Sequence, residues 1–286
     1  MAWKNIQETR EVKVEEAKKE PLVSKEQNNA DESIYNPEKI KVITFYGHKG
    51  CGKTTALLSV LDKKNKVLLI SFDGMSRIIA KNFFPELTNI EVYDAIKFPR
   101  IVIDEKNDGT YVPYESIQNA YKNCQLLLER LKAVKKGDYD IIIFDGLNIA
   151  EKLAEGYMRY QKNLKFDEAF ADFNNWKIRN AYISSLFWTG ITKANNAVFY
   201  TLYPVEDVRK KKDGQVIDSE SIPKYSEEVM YMTSIVIRID RRDVPSQNGS
   251  QKRYFATIES SKIKSVPSGK VIDITNKKLS DEVSLL

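Results

Sequence analysis

The strongest chemical signal in the sequence is a glycine-rich octapeptide. Its residues are Gly47, His48, Lys49, Gly50, Cys51, Gly52, Lys53 and Thr54. The spacing Gly-x-x-x-x-Gly-Lys-Thr is typical of a phosphate-binding loop, and here it lies between a strand pattern and a helical pattern, as that motif requires. Lys53 is expected to reach the β and γ phosphates, and the Thr54 hydroxyl is expected to bind magnesium. The loop therefore predicts binding of a magnesium–nucleoside triphosphate, with ATP as the expected nucleotide.

The other loop side chains are expected to act as spacers, because the backbone binds the phosphates there. The residues predicted to contact nucleotide besides Lys53 and Thr54 are Gly47, His48, Lys49, Gly50, Cys51, Gly52 and Thr55. His48 is the only histidine of the chain. A lone imidazole forms no acid–base pair, so no catalytic role is expected for His48.

Two aspartates follow predicted strands and could complete the chemistry of the loop. Asp145 ends the apolar run 141–144 and is expected beside the loop, at the carboxyl ends of parallel strands, where magnesium requires a carboxylate. Asp73 follows the run 67–72, which is expected close to the loop, and could orient or deprotonate an attacking water. A helix cap before Met75 is the alternative role for Asp73.

The composition is that of an ordinary globular protein without a disulfide framework. The 286 residues are 42% hydrophobic, and 45 basic against 40 acidic residues give a net charge of +5, which permits contact with nucleic acid without indicating a dedicated basic surface. Cys51 and Cys124 lack metal-ligand spacing, which favours a reducing compartment, here the cytoplasm. We recognise no signal peptide and no apolar run of membrane-spanning length, so no membrane association is expected.

Short β-branched runs alternate with helical patterns from Ile40 onward, which predicts an α/β fold with a mainly parallel sheet. Strands are predicted at 40–46, 67–72, 141–144 and 197–202, and helices at 53–61, 114–135 and in the region up to residue 194. Extended segments at 234–240, 254–260 and 270–275 are predicted to add antiparallel strands at the C-terminal end.

Residues 1–38 differ in composition from the rest of the chain. They are rich in Lys, Glu, Asn and Gln and poor in large apolar side chains, so they cannot bury enough surface to offset the entropy lost on ordering. We expect a flexible charged segment; an arm around a neighbouring subunit, anchored by Trp3 and Ile6, is the alternative. Residues 39–286 are expected to form a single nucleotide-binding domain.

From about Lys39 to Asn276 the order of motifs resembles that of the RecA-like ATPases, particularly the small single-domain forms of phages and mobile elements. The shared order begins with a Walker A loop, an acid after the next strand (Asp73) and a Walker B strand (Asp145). A Trp-containing segment (173–179) and a strand near a polar sensor (198–203) follow. The order ends with a basic hairpin (258–264) and an Asp-Ile-Thr strand (272–275). The resemblance implies a RecA-like fold, magnesium-dependent ATP hydrolysis, a homo-oligomer controlled by ATP, and action on DNA in recombination or replication, with single-stranded DNA expected.

The resemblance also implies roles for two basic regions. In RecA-like assemblies the nucleotide lies between subunits, and a basic hairpin residue reaches the neighbour's site. Lys262 and Lys264 fit this role by position, with solvated surface lysines as the alternative. The densest basic run, residues 209–212, is predicted to lie in a loop, where it either contacts nucleic-acid phosphates or is solvated.

Three positions depart from the family pattern. Asp73 stands where Glu is usual, Thr201 or Tyr203 stands at the sensor position where Gln or His is usual, and the hairpin has Ser260-Ser261-Lys262 in place of a basic pair. Slow hydrolysis is the expected consequence.

Three other functions remain open. The run 67–74 also resembles ParA-like partition ATPases, but these carry a lysine at the position of His48. A nucleotide or small-molecule kinase would need an arginine cluster, and Arg209, Arg241 and Arg242 are scattered in the sequence. The third possibility is a binding protein that nucleotide switches without hydrolysis, and only the three departures from the RecA-like pattern favour it.

Overall fold

The structure is a computed structural model. It describes residues 39–98, 103–104, 110–111, 113–165, 174–212, 215–223, 227–246 and 249–286. The N-terminal segment 1–38, with Trp3 and Ile6, lies outside the described residues, so its expected flexibility and the alternative arm both stay predictions.

Twelve strands and six helices make up the described part of the chain. The strands are β1 (Lys41–Tyr46), β2 (Val67–Ser71), β3 (Ile90–Asp94), β4 (Ile103–Asp104), β5 (Thr110–Tyr111), β6 (Ile141–Asp145), β7 (Ala197–Leu202), β8 (Pro204–Lys212), β9 (Gln215–Pro223), β10 (Ile235–Ser246), β11 (Gly249–Ser261) and β12 (Val271–Asp273). The helices are α1 (Lys53–Leu58), α2 (Ser76–Phe83), α3 (Pro113–Ala133), α4 (Leu147–Gln161), α5 (Asn174–Lys193) and α6 (Glu227–Met232).

Eight of these strands form one sheet in the order β12-β11-β10-β1-β7-β6-β2-β3. Every pair from β10 to β3 is parallel, whereas β11 is antiparallel to both β10 and β12. The predicted architecture, a mainly parallel α/β sheet with antiparallel C-terminal strands, is thus confirmed. The strands β4 and β5 pair with each other, as do β8 and β9, in two separate small sheets.

Both faces of the central sheet are covered, which explains why β2, β6 and β7 are buried along their whole length. On one face, α3, α4, α5 and α6 enclose a core in which the Phe187, Tyr200 and Phe144 rings stack at 5.1 and 5.4 Å. On the other face, α1 and the C-terminal residues around the short 3-10 helix Leu279–Asp281 pack against the sheet. Among the described residues, no helix combines the length and apolar content needed to cross a membrane.

One C-terminal segment differs from its predicted form, because the basic run 209–212 lies in strand β8 and not in a loop. The predicted antiparallel segments 234–240 and 254–260 are confirmed as strands, and they extend further into one long hairpin, β10–β11. The sequence does not reveal β8 or the outer parts of β10 and β11, because these charged strands are defined by pairing between strands and lack an apolar alternation.

The two ends of the hairpin β10–β11 lie at opposite ends of the parallel strands, and each of these ends is called an edge of the sheet. Tyr46, the last residue of β1, pairs with Arg238, so the rest of β10 continues beyond the edge where the glycine-rich loop begins. At the other end Ser261 pairs with Ile235, the first residue of β10. The turn side of this hairpin therefore lies beside the loop, and the segment after β11 lies at the far edge.

Candidate functional site

The glycine-rich loop starts at Gly47, directly after β1, and ends at Gly52, before α1. A Cβ on Gly47 would lie 2.2 Å from the carbonyl oxygen of Ile239 in β10, so only glycine fits there. Gly52 has φ of 90°, a left-handed conformation that glycine adopts without strain. The two outer glycines of the motif are thus required by a close approach and by a backbone angle.

The loop side chains that the sequence predicts to be spacers differ in their exposure. His48, Lys49 and Thr55 are exposed, whereas Cys51 is buried and burial raises the pKa of its thiol. Since the exposed side chains have no described partner at the loop, a bound phosphate would meet mainly backbone there.

Lys53 is folded against its own loop. Its Nζ donates hydrogen bonds to the carbonyl oxygens of Gly47 and His48, both at 2.9 Å, and lies 4.4 Å from the centre of the Tyr203 ring. Burial lowers the pKa of Lys53, and the charges of Asp145 and Asp73 act in the opposite direction. Phosphate oxygens can replace the two carbonyl oxygens as acceptors, so the ammonium group lies where a triphosphate needs it.

Thr54 and Asp145 meet as predicted for a magnesium site. The Thr54 hydroxyl donates to Asp145 Oδ2 at 2.9 Å, which leaves its oxygen lone pairs available for a cation. Magnesium is commonly held by one or two carboxylates together with phosphate oxygens and water. The Thr54 hydroxyl and the Asp145 carboxylate are oxygen donors of the kind that would hold magnesium together with nucleotide phosphates. Among the described residues, no group of three or more His, Cys, Asp or Glu side chains is placed to hold a metal ion.

Two further hydroxyl groups fix the Asp145 carboxylate, which is 3% exposed. Ser76 donates to Oδ2 at 2.6 Å and Thr201 donates to Oδ1 at 2.5 Å. Burial raises the pKa of Asp145, and the hydrogen bonds from Ser76, Thr201 and Thr54 oppose this rise. The sequence does not single out Ser76, since a serine becomes informative only when the fold brings it to a carboxylate.

Asp73 lies on the exposed turn between β2 and α2. Two strands, β7 and β6, separate β2 from β1, so its strand is not next to the loop strand. Its charge nonetheless reaches the site. Burial lowers the pKa of Lys53 and the Asp73 charge partly opposes this, whereas burial raises the pKa of Tyr203 and the Asp73 charge adds to the rise. Its Oδ1 also accepts a hydrogen bond from the Met75 amide at 2.9 Å, a contact within the turn. The N-cap of α2 is Met75 and no side chain caps this helix, so the capping alternative for Asp73 is wrong.

The structure distinguishes the two residues considered for the sensor position. The Thr201 hydroxyl donates a hydrogen bond to Asp145 and accepts one from the Gly146 amide at 2.7 Å. Its hydrogen bonds are therefore made within the protein. Tyr203 is partly exposed, its ring packs on Lys53, and its amide donates to Asn148 Oδ1 at 2.5 Å. Tyr203 is therefore the residue of the two that can contact a bound nucleotide.

The hairpin β10–β11 adds residues that sequence spacing does not reveal. Tyr254 places its ring 3.5 Å from the Cβ position of Gly52, and Tyr254 pairs with the exposed Arg241 across the hairpin. Within the described part of the chain, Arg241 forms no ion pair, whereas Arg238 and Arg242 both contact Asp240. Arg241 is thus the arginine that the hairpin register places opposite the tyrosine beside Gly52.

Lys262 and Lys264 follow the end of β11, at the edge of the sheet opposite the loop. Lys262 Nζ donates to the Tyr231 carbonyl oxygen at 2.9 Å. Neither lysine can serve the loop of its own chain, so a role in a neighbouring site stays a prediction.

A family model described as AAA domain matches residues 39–265, which include the loop, both aspartates and the sensor strand. The chain belongs to the AAA domain family. This match confirms the predicted RecA-like P-loop ATPase domain; a specific relation to phages and mobile elements stays a prediction. The residues assembled around Lys53 all lie within the part of the chain that matches the AAA domain.

One solved structure similar to this AAA domain is the crystal structure of the RadB recombinase. It is 15% identical, with a TM-score of 0.43, and the match covers 82% of this chain and 86% of that chain. No curated protein sequence matches the chain significantly.

Proposed function

We propose that this AAA domain protein is a magnesium-dependent ATPase that acts on DNA through nucleotide-controlled self-association. Lys53, Thr54 and Asp145 would hold the magnesium–ATP complex, and Asp73 would orient the attacking water. Bound magnesium neutralises charge on the β and γ phosphates and polarises the bond that breaks. Thr201 and Ser76 hold the Asp145 carboxylate ready for that ion through the two hydrogen bonds described above.

The observation that carries the DNA part of the proposal is the place where strand β8 begins. Tyr203 packs on Lys53, and β8 starts at the next residue, Pro204. The basic run 209–212 belongs to this strand. A movement of Lys53 toward phosphate would therefore act directly on the base of a basic hairpin, which supports coupling between the nucleotide and a polyanion such as DNA.

A nucleotide or small-molecule kinase is the second candidate. It is favoured by the arginines of the hairpin β10–β11, above all Arg241, which is exposed beside the loop without an ion pair among the described residues. Such a residue could contact a second phosphate-bearing substrate.

The proposal is tested by measuring ATP turnover with and without single-stranded DNA while mass measurements report the oligomer. We expect magnesium-dependent turnover that DNA stimulates, and a larger oligomer with ATP than with ADP. Turnover that requires a small-molecule phosphate acceptor, in a monomer that ignores DNA, would favour the kinase instead. Absence of both turnover and nucleotide binding would contradict either candidate.

A further inference from the structure

A chain of hydroxyl groups links the two acidic residues of the site. Asp145 Oδ2 lies 2.6 Å from Ser76 Oγ, which lies 2.8 Å from Ser71 Oγ, which in turn lies 3.3 Å from Asp73 Oδ1. We propose that Ser71 and Ser76 are positioning residues that couple the water-orienting Asp73 to the magnesium-holding Asp145. This inference rests on the proposed ATPase function and assigns two residues to it.

The bridge is built from rigid and buried parts. Ser71, the last residue of β2, is 1% exposed and pairs with Asp145 across neighbouring strands, and Ser76, the first residue of α2, is fully buried. The Gly74 amide donates to Ser71 Oγ at 3.1 Å. Ser71 is thus held by the Gly74 amide and Ser76 by its burial at the start of α2, so they can fix the turn that carries Asp73 relative to the strand that carries Asp145.

The number of protons in the bridge makes its Asp145 end and its Asp73 end depend on each other. A carboxylate only accepts hydrogen bonds, and each serine hydroxyl carries one proton. The bridge has three links, Asp145–Ser76, Ser76–Ser71 and Ser71–Asp73. While both carboxylates are ionised, two protons serve three links and one link remains unfilled. A proton passed from the attacking water to Asp73 would supply the missing one, so the bridge is complete when the water has been activated.

The distances indicate which link is unfilled before that step. Ser76 Oγ is placed to donate both to Asp145 Oδ2 at 2.6 Å and to Ser71 Oγ at 2.8 Å, and its single proton fills the shorter contact. The contact between the serines is then filled when the Ser71 proton turns from Asp73 to Ser76. The 3.3 Å contact between Ser71 and Asp73 is then the weak link. The Asp73 carboxylate consequently keeps acceptor capacity for a water, with the Met75 amide as its other donor.

The bridge predicts a catalytic effect that a packing role would not produce. For Ser76→Ala we expect kcat to fall roughly 10-fold or more, with nucleotide affinity in the absence of magnesium unchanged, because groups that orient metal-site residues typically act on this scale. More magnesium should also be needed for half-maximal nucleotide binding, since Asp145 loses a donor. Ser71→Ala should lower kcat similarly and leave the magnesium requirement nearer to that of the wild type.

The double variant Ser71→Ala/Ser76→Ala makes the test sharper. If the two hydroxyls act as one chain, the double variant should have about the same kcat as the more impaired single variant, because removal of either link already breaks the chain. Multiplied losses would show that the serines act independently, and would overturn the bridge. Ser59→Ala is the control, because Ser59 is also a buried, bridging serine, with contacts to Ala56 and Leu279, but lies outside the site.

Two additional variants separate chemistry from folding. Ser76→Cys keeps the size of the side chain but replaces the hydroxyl with a weak donor, so it should lower kcat even if Ser76→Ala unfolds. Ser71→Thr keeps the hydroxyl and suits a strand, and it should retain activity. Wild-type kcat and magnesium requirement in Ser76→Cys would overturn the proposal. If the wild type binds magnesium–nucleotide without turnover, the ATPase proposal fails, but the positioning role of Ser76 can still be tested. The magnesium requirement of nucleotide binding by Ser76→Ala then decides whether Ser76 positions Asp145.

Discussion

The Asp145 carboxylate is held on both oxygens by hydroxyl donors from three different elements, Thr54, Ser76 and Thr201. In Asp145→Asn one oxygen becomes an NH2 group that would face a donor, so we expect the magnesium requirement of nucleotide binding to rise by roughly 10-fold or more. Magnesium titration of nucleotide binding measures this directly. An unchanged magnesium requirement would place the metal elsewhere.

Asp73 is exposed and contacts the Met75 amide, so its substitution should leave the fold and nucleotide binding intact. For Asp73→Asn we expect kcat to fall by about 100-fold or more, the scale of a lost general base, because water activation matters only in the chemical step. Parallel measurements of nucleotide affinity and single-turnover hydrolysis separate the two effects. Equal losses in both would assign Asp73 a structural role in the turn between β2 and α2.

At this scale the motif residues could be predicted and their supporting residues could not. Lys53, Thr54 and Asp145 stand at fixed places relative to glycines and an apolar strand, so the sequence indicates the roles proposed for them. Ser76 and Thr201 acquire theirs only through tertiary contacts with Asp145, and serine and threonine are too common to be informative alone.

Among the elements, the hairpin of β8 and β9 carries the proposed DNA contacts of residues 209–212. Replacing Lys210 and Lys211 with alanine should weaken binding to single-stranded DNA and reduce the slope of log affinity against log salt by about 1 to 2, because each lost phosphate contact removes close to one released counterion. Basal turnover should remain. Lys135→Ala/Lys136→Ala is the matched control, since it removes the same charge from exposed residues that follow α3. Equal salt slopes for both double variants would remove the DNA contact from this hairpin.

The buried strands could be predicted because a parallel sheet covered on both faces requires continuous apolar runs, as in β2 and β6. The charged strands β8 and β9 and the turn half of β10–β11 could not. Their stability depends on pairing between strands, and the approach of Ile239 and Tyr254 to the loop glycines follows from a register that no local pattern encodes.

For the whole molecule, the central expectation concerns assembly. Lys262 and Lys264 lie at the sheet edge opposite their own loop, so they could contact a nucleotide only in a neighbouring subunit. If Lys262 does so, turnover per subunit should rise with protein concentration, and Lys262→Ala should lower kcat without lowering nucleotide affinity. Mixing Lys262→Ala with Lys53→Ala should partly restore turnover, because an intact loop can then face an intact lysine. No recovery at any mixing ratio would exclude this interface.

The order of the sheet could not be predicted from the sequence, although its parallel character could. Strand β7 lies between the loop strand β1 and the aspartate strand β6, and this brings Thr201 next to Asp145 and Tyr203 next to Lys53. Such neighbours are set by the long crossovers through α3, α4 and α5, whose packing involves residues far apart in the chain.

The most direct test of the account is the affinity of the protein for magnesium–ATP before and after loss of the Lys53 charge. We expect Lys53→Ala to weaken binding at least about 10-fold and to abolish turnover, because ion pairs with phosphate in a partly buried site exceed 1 kcal/mol and no other described side chain donates at this position. Lys63→Ala, an exposed lysine outside the loop, should behave as the wild type. Wild-type binding and turnover in Lys53→Ala would contradict the assignment of this loop as the nucleotide site.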